Sequence, residues 1–229
     1  ISFNKMLNKN LIKWIKAQKL INKIKLKKKN KNELDQWIFS NRSIYHKKKI
    51  FFLIKPFIFS QIKKKWNQPL IIQKEEGILG IIKKKILNKS YYLLQAKAEP
   101  GNINSIQISP TVQATKSNYL RKHGGKQTSY LNYFLKKNRN ISILSNTKLS
   151  EQGTRFLGKK NRNILVEIKN NNNLLKKDSF IWLTKNNIQF LLKQRNLLQM
   201  DTISILSSII KKNEHDKSLC NLKELLIKL

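Results

Sequence analysis

Gln95-Ala96-Lys97-Ala98-Glu99-Pro100-Gly101-Asn102-Ile103-Asn104-Ser105-Ile106-Gln107-Ile108-Ser109-Pro110-Thr111-Val112-Gln113-Ala114-Thr115-Lys116-Ser117-Asn118-Tyr119 is the stretch on which the reading of this chain turns. It opens at the end of Tyr91–Ala98, an apolar run with the composition of a strand. Glu99-Pro100-Gly101 reads as a turn. Beyond it, Ile106–Ala114 alternates. Ile108, Pro110, Val112 and Ala114 share one face, and Gln107, Ser109, Thr111, Gln113 and Thr115 share the other. A polar row that looks only at water would carry charge in so basic a chain, yet this one carries none. The nearest lysine, Lys116, belongs to the opposite row. Neutral donors and acceptors suit a face that lines a ligand. Glu99 stands in the same stretch, where the surrounding lysine bias is suspended. Taken alone, a carboxylate beside a Pro-Gly turn is more often a turn residue than a catalyst.

Working outward, Ile50–Ile54, Ile71–Gln73, Ile78–Ile82 and Ile164–Ile168 also read as strands. Gly124–Gly125 and an aromatic cluster at Tyr130, Tyr133 and Phe134 follow the central stretch. Thr184 is placed to cap a helix with Ile188, Leu191 and Leu192 on its apolar side. Asp201 is placed to cap a second one with Ile205, Leu206 and Ile209. At the N-terminal end, Asn4–Lys27 reads as a basic amphipathic helix with Leu7, Leu11, Trp14 and Ile21 near one stripe. Such a helix suits a membrane surface, a nucleic-acid arm, or packing on the core or a second subunit. Sheet first and helices afterwards gives a mixed α+β, or α/β, class. The expected organisation is a basic helix over 1–30, one folded unit over 31–212 and a helical tail or linker over 213–229.

Composition sets limits. The 229 residues include 48 Lys and Arg against 12 Asp and Glu, a net charge of +36, which by itself suggests a polyanion partner. Codon bias is the stronger explanation, because Lys, Asn and Ile share AT-rich codons and all three saturate the chain, as at Lys83–Lys85 and Asn170–Asn173. A nucleic-acid binder has no need of so much Asn and Ile. One cysteine, Cys220, excludes an intrachain disulfide or a multi-thiolate zinc site. His46, His123 and His215 have no paired ligand spacing, so no metal is expected. The most apolar stretch, Ile50–Ser60, carries Lys55 and Pro56 and is far short of the roughly 20 residues of a membrane span. No signal peptide is evident, and a cytoplasmic location is expected. Residue 1 is isoleucine, which leaves open whether the chain is a fragment.

The central stretch is similar, nearly residue for residue, to the signature of the NDP-hexose 2,3-dehydratase family. The resemblance continues through Tyr119-Leu120-Arg121-Lys122-His123-Gly124-Gly125 and Tyr130-Leu131-Asn132-Tyr133-Phe134. It resumes at Ser150-Glu151-Gln152-Gly153-Thr154-Arg155-Phe156, Lys160-Asn161-Arg162-Asn163, Phe180-Ile181-Trp182-Leu183-Thr184 and Asn196-Leu197-Leu198-Gln199-Met200-Asp201-Thr202. Upstream it includes Phe51-Phe52, Trp66-Asn67-Gln68-Pro69 and Gly77-Ile78-Leu79-Gly80, so that it spans Trp37 to Leu206. His46-Lys47-Lys48-Lys49 departs from it, standing where a more polar, Gly-containing turn is expected. Family members usually carry two tandem versions of the unit, and the motifs here resemble the first. The resemblance implies a Nudix-like sheet with flanking helices, and either a homodimer or a second repeat as partner.

It also implies an activity, dehydration of dTDP-4-keto-6-deoxy-D-glucose to a 3,4-diketo-2,6-dideoxyhexose nucleotide in deoxysugar biosynthesis. That reaction needs no redox cofactor, and a downstream 3-ketoreductase would take up the product. The C4 ketone acidifies the C3 proton, a base removes it, and the C2 hydroxyl leaves with help from an acid. Glu99 is the first candidate base, since burial raises a carboxylate's pKa. His123 is its rival. Tyr119 or Tyr133 would protonate the leaving hydroxyl or hold the enolate. Gln95, Lys97, Asn102, Gln107, Ser109, Thr111, Gln113, Thr115 and Asn118 would bind the sugar and nucleotide, and Arg155 and Arg162 the diphosphate. Trp66 or Trp182 could stack on thymine, though a core role suits either better. Two alternatives stay beside this reading: a non-catalytic nucleotide-sugar-binding half, and a basic, ribosome-associated nucleic-acid binder.

Overall fold

The computed structural model describes residues 3–120, 124, 127–136, 138–169, 174 and 177–210, with side chains between 6 and 207. The chain forms two sheets. The first is an antiparallel meander of β1 (Trp37–Ser40), β2 (Ser43–His46), β3 (Leu53–Gln61) and β4 (Lys64–Ile72). Aromatic packing closes its base, with Phe51 stacked on Trp37 and His46 edge-on to both. At the other end Phe59 stacks on Trp66. The strand expected over Ile50–Ile54 therefore starts later and runs on through Pro56. Proline is tolerated there because β2 pairs with β3 only at Leu53 and Ile54.

The second sheet is built from β5 (Gly77–Ile86), β6 (Lys89–Ala98), β7 (Ile106–Ser109), β8 (Val112–Thr115), β9 (Ile141–Ser150), β10 (Lys160–Ile168) and β11 (Phe180–Thr184). Its order is β11-β6-β5-β10-β9, with β7 added to β6 and β8 to β5. β5 and β10 run parallel, and the other pairs antiparallel. The middle strands are nearly continuous apolar runs because they are covered on both faces. Leu79, Ile81, Leu94 and Leu165 pack on one side; Ile78, Ile82, Leu93, Ile164 and Val166 pack on the other.

This sheet forks. β5 and β6 pair from Ile82↔Leu93 to Ile86↔Lys89 and then part. Past that point Gly77–Gly80 takes β8 as neighbour, while Gln95–Ala98 takes β7. Thr111 sits in the crotch. Its Oγ1 accepts from the Ile82 amide at 3.0 Å and donates to the Leu93 carbonyl, replacing the ladder bond lost where the strands separate. The single strand expected over Ile106–Ala114 is thus two strands broken at Pro110-Thr111. Proline has no N–H for a ladder, and the chain uses that break to cross from one arm of the fork to the other. The polar row does not survive the crossing. Ser109 and Thr111 are 0% and 1% exposed and serve the backbone, so neither lines a ligand face.

Helices cover the sheet. In α1 (Phe3–Ile21), Leu11 and Ile15 are buried against Leu183, Ile188 and Leu191, and Gln18 donates to the Asp178 carbonyl at 3.1 Å. Of the readings open for the basic helix, packing on the core is the observed one. It stops at Ile21, short of the expected Lys27. No helix among the described residues is long and apolar enough to cross a membrane. Short helices α2 (Lys116–Tyr119) and α3 (Asn132–Leu135) lie on the opposite side. There Phe134 presses on Gly80 so closely that a Cβ on the glycine would stand 2.3 Å from the ring. α4 (Lys185–Leu192) begins with the cap expected at Thr184, which Asn187 completes into a capping box. α5 (Met200–Ile210) does not begin as expected. The Gln199 carbonyl already accepts from the Ile203 amide, which puts Asp201 inside the first turn and not at the cap.

Candidate active site

The arms of the fork hold a line of linked polar groups. Lys97, near the end of β6, directs its ammonium to Glu99 Oε1 at 2.9 Å and to Gln113 Oε1, on β8, at 2.8 Å. The amide nitrogen of Gln113 donates to Asp201 Oδ2 at 3.2 Å. Gln199 Nε2 donates to the second oxygen of Glu99 at 3.3 Å. Two carboxyls far apart in the chain, Glu99 and Asp201, are thus joined through one ammonium and one amide. They are brought together because β7 bonds both to β6 and, through Ile108, to the Leu197–Gln199 segment that leads into α5.

The carboxyls do not have the same environment. Burial pushes Asp201 up to about 6; the charges of Glu151 and Glu99 add to the rise and Lys97 opposes it. On the face that α5 covers, β10 contributes Asn161 and Asn163, side chains on the same face as Leu165. Asn161 accepts from the Gly77 amide at 3.0 Å and donates to Glu151 Oε1 at 2.5 Å. Gly77 must be glycine for this, since a Cβ there would lie 2.8 Å from Asn161 Oδ1. Asn163 is 3% exposed, and among the described residues its Oδ1 and the Oε1 of Gln199 are buried acceptors with no partner. Such acceptors are rare in folded chains and mark places where a donor from elsewhere can be received. Nearby, Lys159 is buried, which lowers its pKa, and its ammonium donates to the Glu75 carbonyl.

The arrangement offers a carboxyl that exchanges its proton near neutrality, an ammonium close by, and open acceptors for hydroxyl groups. Among the described residues no group of three or more His, Cys, Asp and Glu is placed to hold a metal ion.

The family model for NDP-hexose 2,3-dehydratase matches residues 8–209. The chain belongs to the NDP-hexose 2,3-dehydratase family. Three curated relatives carry the name dTDP-4-dehydro-6-deoxy-alpha-D-glucopyranose 2,3-dehydratase. The protein from Saccharopolyspora spinosa is 46% identical over 63% of this chain and 29% of its own length. That from Streptomyces violaceoruber is 42% identical over 63% and 32%. That from Amycolatopsis orientalis is 34% identical over 86% and 43%. The chain therefore spans between 29% and 43% of the curated relatives it matches. Among solved structures, a Nudix Hydrolase from M. Smegmatis, RenU, superposes with a TM-score of 0.39 at 7% identity, over 67% of this chain and 92% of that one. A C. elegans Ap4A Hydrolase gives 0.36 at 11%, over 60% and 99%.

Set on this fold, the family motifs divide. Lys97, Glu99 and Gln113 meet in the fork. Gln95 lies on the same arm and face as Lys97, and Gln107 donates to the Asn196 carbonyl at 3.2 Å. Asn102 closes the Glu99 turn by donating to the Lys97 carbonyl at 3.2 Å. Thr115 bonds Ser117 at 3.1 Å, and Asn118 is exposed on α2. Tyr119 and Tyr133 pack against the opposite core, away from Glu99. Arg162 alternates to the face opposite Asn161 and Asn163 and shares a cavity with Tyr133. Arg155 is exposed in the loop before β10, its carbonyl bonded to the Ile71 amide. Trp182 lies under the Lys84 ammonium, 4.1 Å from its ring centre. His123 lies outside the described residues. Asp201, Gln199, Glu151, Asn161 and Asn163 were not foreseen as site residues. Their signal was membership in the family motifs together with the scarcity of acids, 12 in 229 residues.

Proposed function

We propose that this unit binds a dTDP-4-keto-6-deoxyhexose in the fork and removes water across C2 and C3. The observation that carries the reading is Asp201, a carboxyl that burial pushes up to about 6 within reach of the Lys97 charge, together with the Asn163 and Gln199 amide oxygens that have no partner among the described residues. Asp201, as carboxylate, takes the C3 proton, and the electron pair moves toward the C4 oxygen. The Lys97 ammonium opposes the charge that develops there. The enolate then expels the C2 hydroxyl, which collects the proton from Asp201 and leaves as water. The remaining enol tautomerises to the 3,4-diketone, so the balance closes with no oxidant or reductant. Asn163 Oδ1 and Gln199 Oε1 accept sugar hydroxyls, Glu99 holds Lys97 in place, and Arg155 approaches the diphosphate from the rim. The base role first given to Glu99 passes to Asp201, because Glu99 is held in an ion pair.

The test is turnover of dTDP-4-keto-6-deoxyglucose with a 3-ketoreductase present to trap the diketone. Asp201→Asn should lower the rate about 10²–10⁴-fold, the usual worth of a general acid–base group. Near-normal turnover by that variant would end the assignment. Glu99→Gln and His123→Ala, made in parallel, measure the two earlier candidates.

A second reading rests on length. Because the chain spans at most 43% of these relatives, it also fits a nucleotide-sugar-binding half that turns over only with a second repeat or a second copy. Calorimetry with dTDP gives binding without turnover in that case, and adding the missing half restores the reaction.

A further inference from the structure

The core takes one side of α1 and leaves the other. Leu11, Ile15 and Gln18 are buried against the domain. On the opposite side Met6, Lys9, Lys13, Lys16 and Leu20 recur three or four residues apart and stand exposed along one outward stripe. Past Ile21 the chain runs through 23–30 without helix or strand, and every lysine in that segment is exposed. We infer that this stripe and the segment after it form a surface for an anionic lipid bilayer.

Two observations carry the inference together. The lysines come without acids, for no Asp or Glu occurs before Glu33. Each lysine held near an anionic leaflet raises partition roughly five-fold. Apolar side chains are set among them in water: Leu20, Ile21 and Leu26 are 80%, 74% and 73% exposed, with Ile24 between them. Codon bias governs how many lysines and isoleucines the chain has, not which apolar side chains stay in water. The mixture decides the kind of partner. A protein interface excludes lysine from its core, and a nucleic acid gains nothing from exposed leucine. At a bilayer surface the apolar groups enter the acyl boundary, while lysine stems lie along it and their ammonium groups reach the phosphates. The contact is with the surface and is not a span, since no helix among the described residues is long and apolar enough to cross a membrane.

The inference uses no residue of the fork and is independent of the dehydration reading. It is tested by sedimenting the full chain with vesicles of phosphatidylcholine, alone or mixed with an equal part of phosphatidylglycerol. The salt is about 0.15 M, where free charges are screened beyond roughly 8 Å. The mixed vesicles should carry the protein down, and the neutral ones should not. Lys16→Gln/Lys25→Gln should weaken partition about 30-fold, and Leu20→Ser/Leu26→Ser at least about ten-fold. Lys63→Gln/Lys65→Gln, the same change of charge at the exposed β3–β4 turn, should leave it unchanged. Equal losses in both lysine variants would reduce the effect to net charge and overturn the surface. So would equal sedimentation with neutral vesicles. A leucine variant that partitions like the unaltered chain would leave charge alone and end the lipid assignment; a duplex oligonucleotide bound through Lys16 and Lys25 would then name nucleic acid as the partner. Leu26→Ser by itself, outside the helix, should still weaken partition about three-fold or more. Circular dichroism of each variant excludes unfolding as the cause of a loss.

Discussion

Asp201→Asn should make the protein more stable at neutral pH while removing its proton-transfer group. A carboxyl that gives up its proton near 6 in the folded chain and near 3.8 when unfolded is disfavoured as a folded anion by about 3 kcal/mol. Solvent reaches part of the group, and the first turn of α5 offers its dipole to the anion, so about 1–3 kcal/mol is the working figure. The sign follows from proton counts. Well below pH 3.8 both states hold the proton, and Asp and Asn are alike. Between about 4 and 6 the unfolded chain has released it while the folded chain keeps it, so wild-type stability falls as pH rises. Above about 6 the deficit is constant. Asn keeps the bond from Gln113 through its amide oxygen, so the substitution removes charge and little else.

The assay is urea unfolding of both proteins at pH 4, 5, 6 and 7.5 in constant salt. The difference in stability should be small at pH 4, at most about 0.5 kcal/mol, and open progressively to its full value by pH 7. Taking differences cancels the large common effect of the other titrating groups. A variant that is no more stable at pH 7.5, or whose gain is the same at every pH, would refute the claim that desolvation sets the proton affinity of Asp201.

Three further substitutions probe the frame that holds the site. Thr111→Val keeps the shape but strips the hydroxyl from the crotch of the fork, leaving the Ile82 amide and the Leu93 carbonyl unpaired; a loss of about 2–4 kcal/mol in urea unfolding is expected. Gly80→Ala sets a methyl against Phe134 and should cost about 1–3 kcal/mol, with part of it recovered in Gly80→Ala/Phe134→Leu by a double-mutant cycle. Thr184→Ala opens the capping box of α4 and should lower stability by about 1 kcal/mol, read as a shift in the urea midpoint at unchanged slope.

The sequence was most legible where side chains are buried on both faces. β5, β6 and β10 announce themselves as apolar runs, and Thr184 carries its own capping signal into α4. β9 was missed for the opposite reason. It is an edge strand, mostly exposed, and Ser, Asn, Thr and Lys fill it without any alternation that burial would impose. The break at Pro110-Thr111 was hidden because the alternation of Ile106–Ala114 runs through it without a slip in sequence. Only the change of pairing partner, from β6 to β5, reveals two strands. In the site, Lys97, Glu99 and Gln113 could be found because they share one short stretch. Asp201 could not: an aspartate just ahead of an apolar helical run is itself a cap signature, and what distinguishes it here is a contact made across the whole domain.

The proton affinity of Asp201 also answers the question that the composition raised. A chain carrying +36 should make carboxylates easier to ionise, and exposed Glu76 is lowered, chiefly by its hydrogen bond to Lys148. Asp201 moves the other way in the same field. The lysines that dominate the net charge are solvated, and at physiological salt their influence fades within about 8 Å. Inside the fork only a few charges count, two carboxylates that raise Asp201 and one ammonium that lowers it, and loss of water outweighs them all. Surface lysine can therefore accumulate with little effect on the titration of a group placed there. By the same reasoning a change of charge at the exposed β3–β4 turn should leave Asp201 where it is, whereas Lys97→Gln, which removes the one ammonium that opposes the rise, should push its titration higher still.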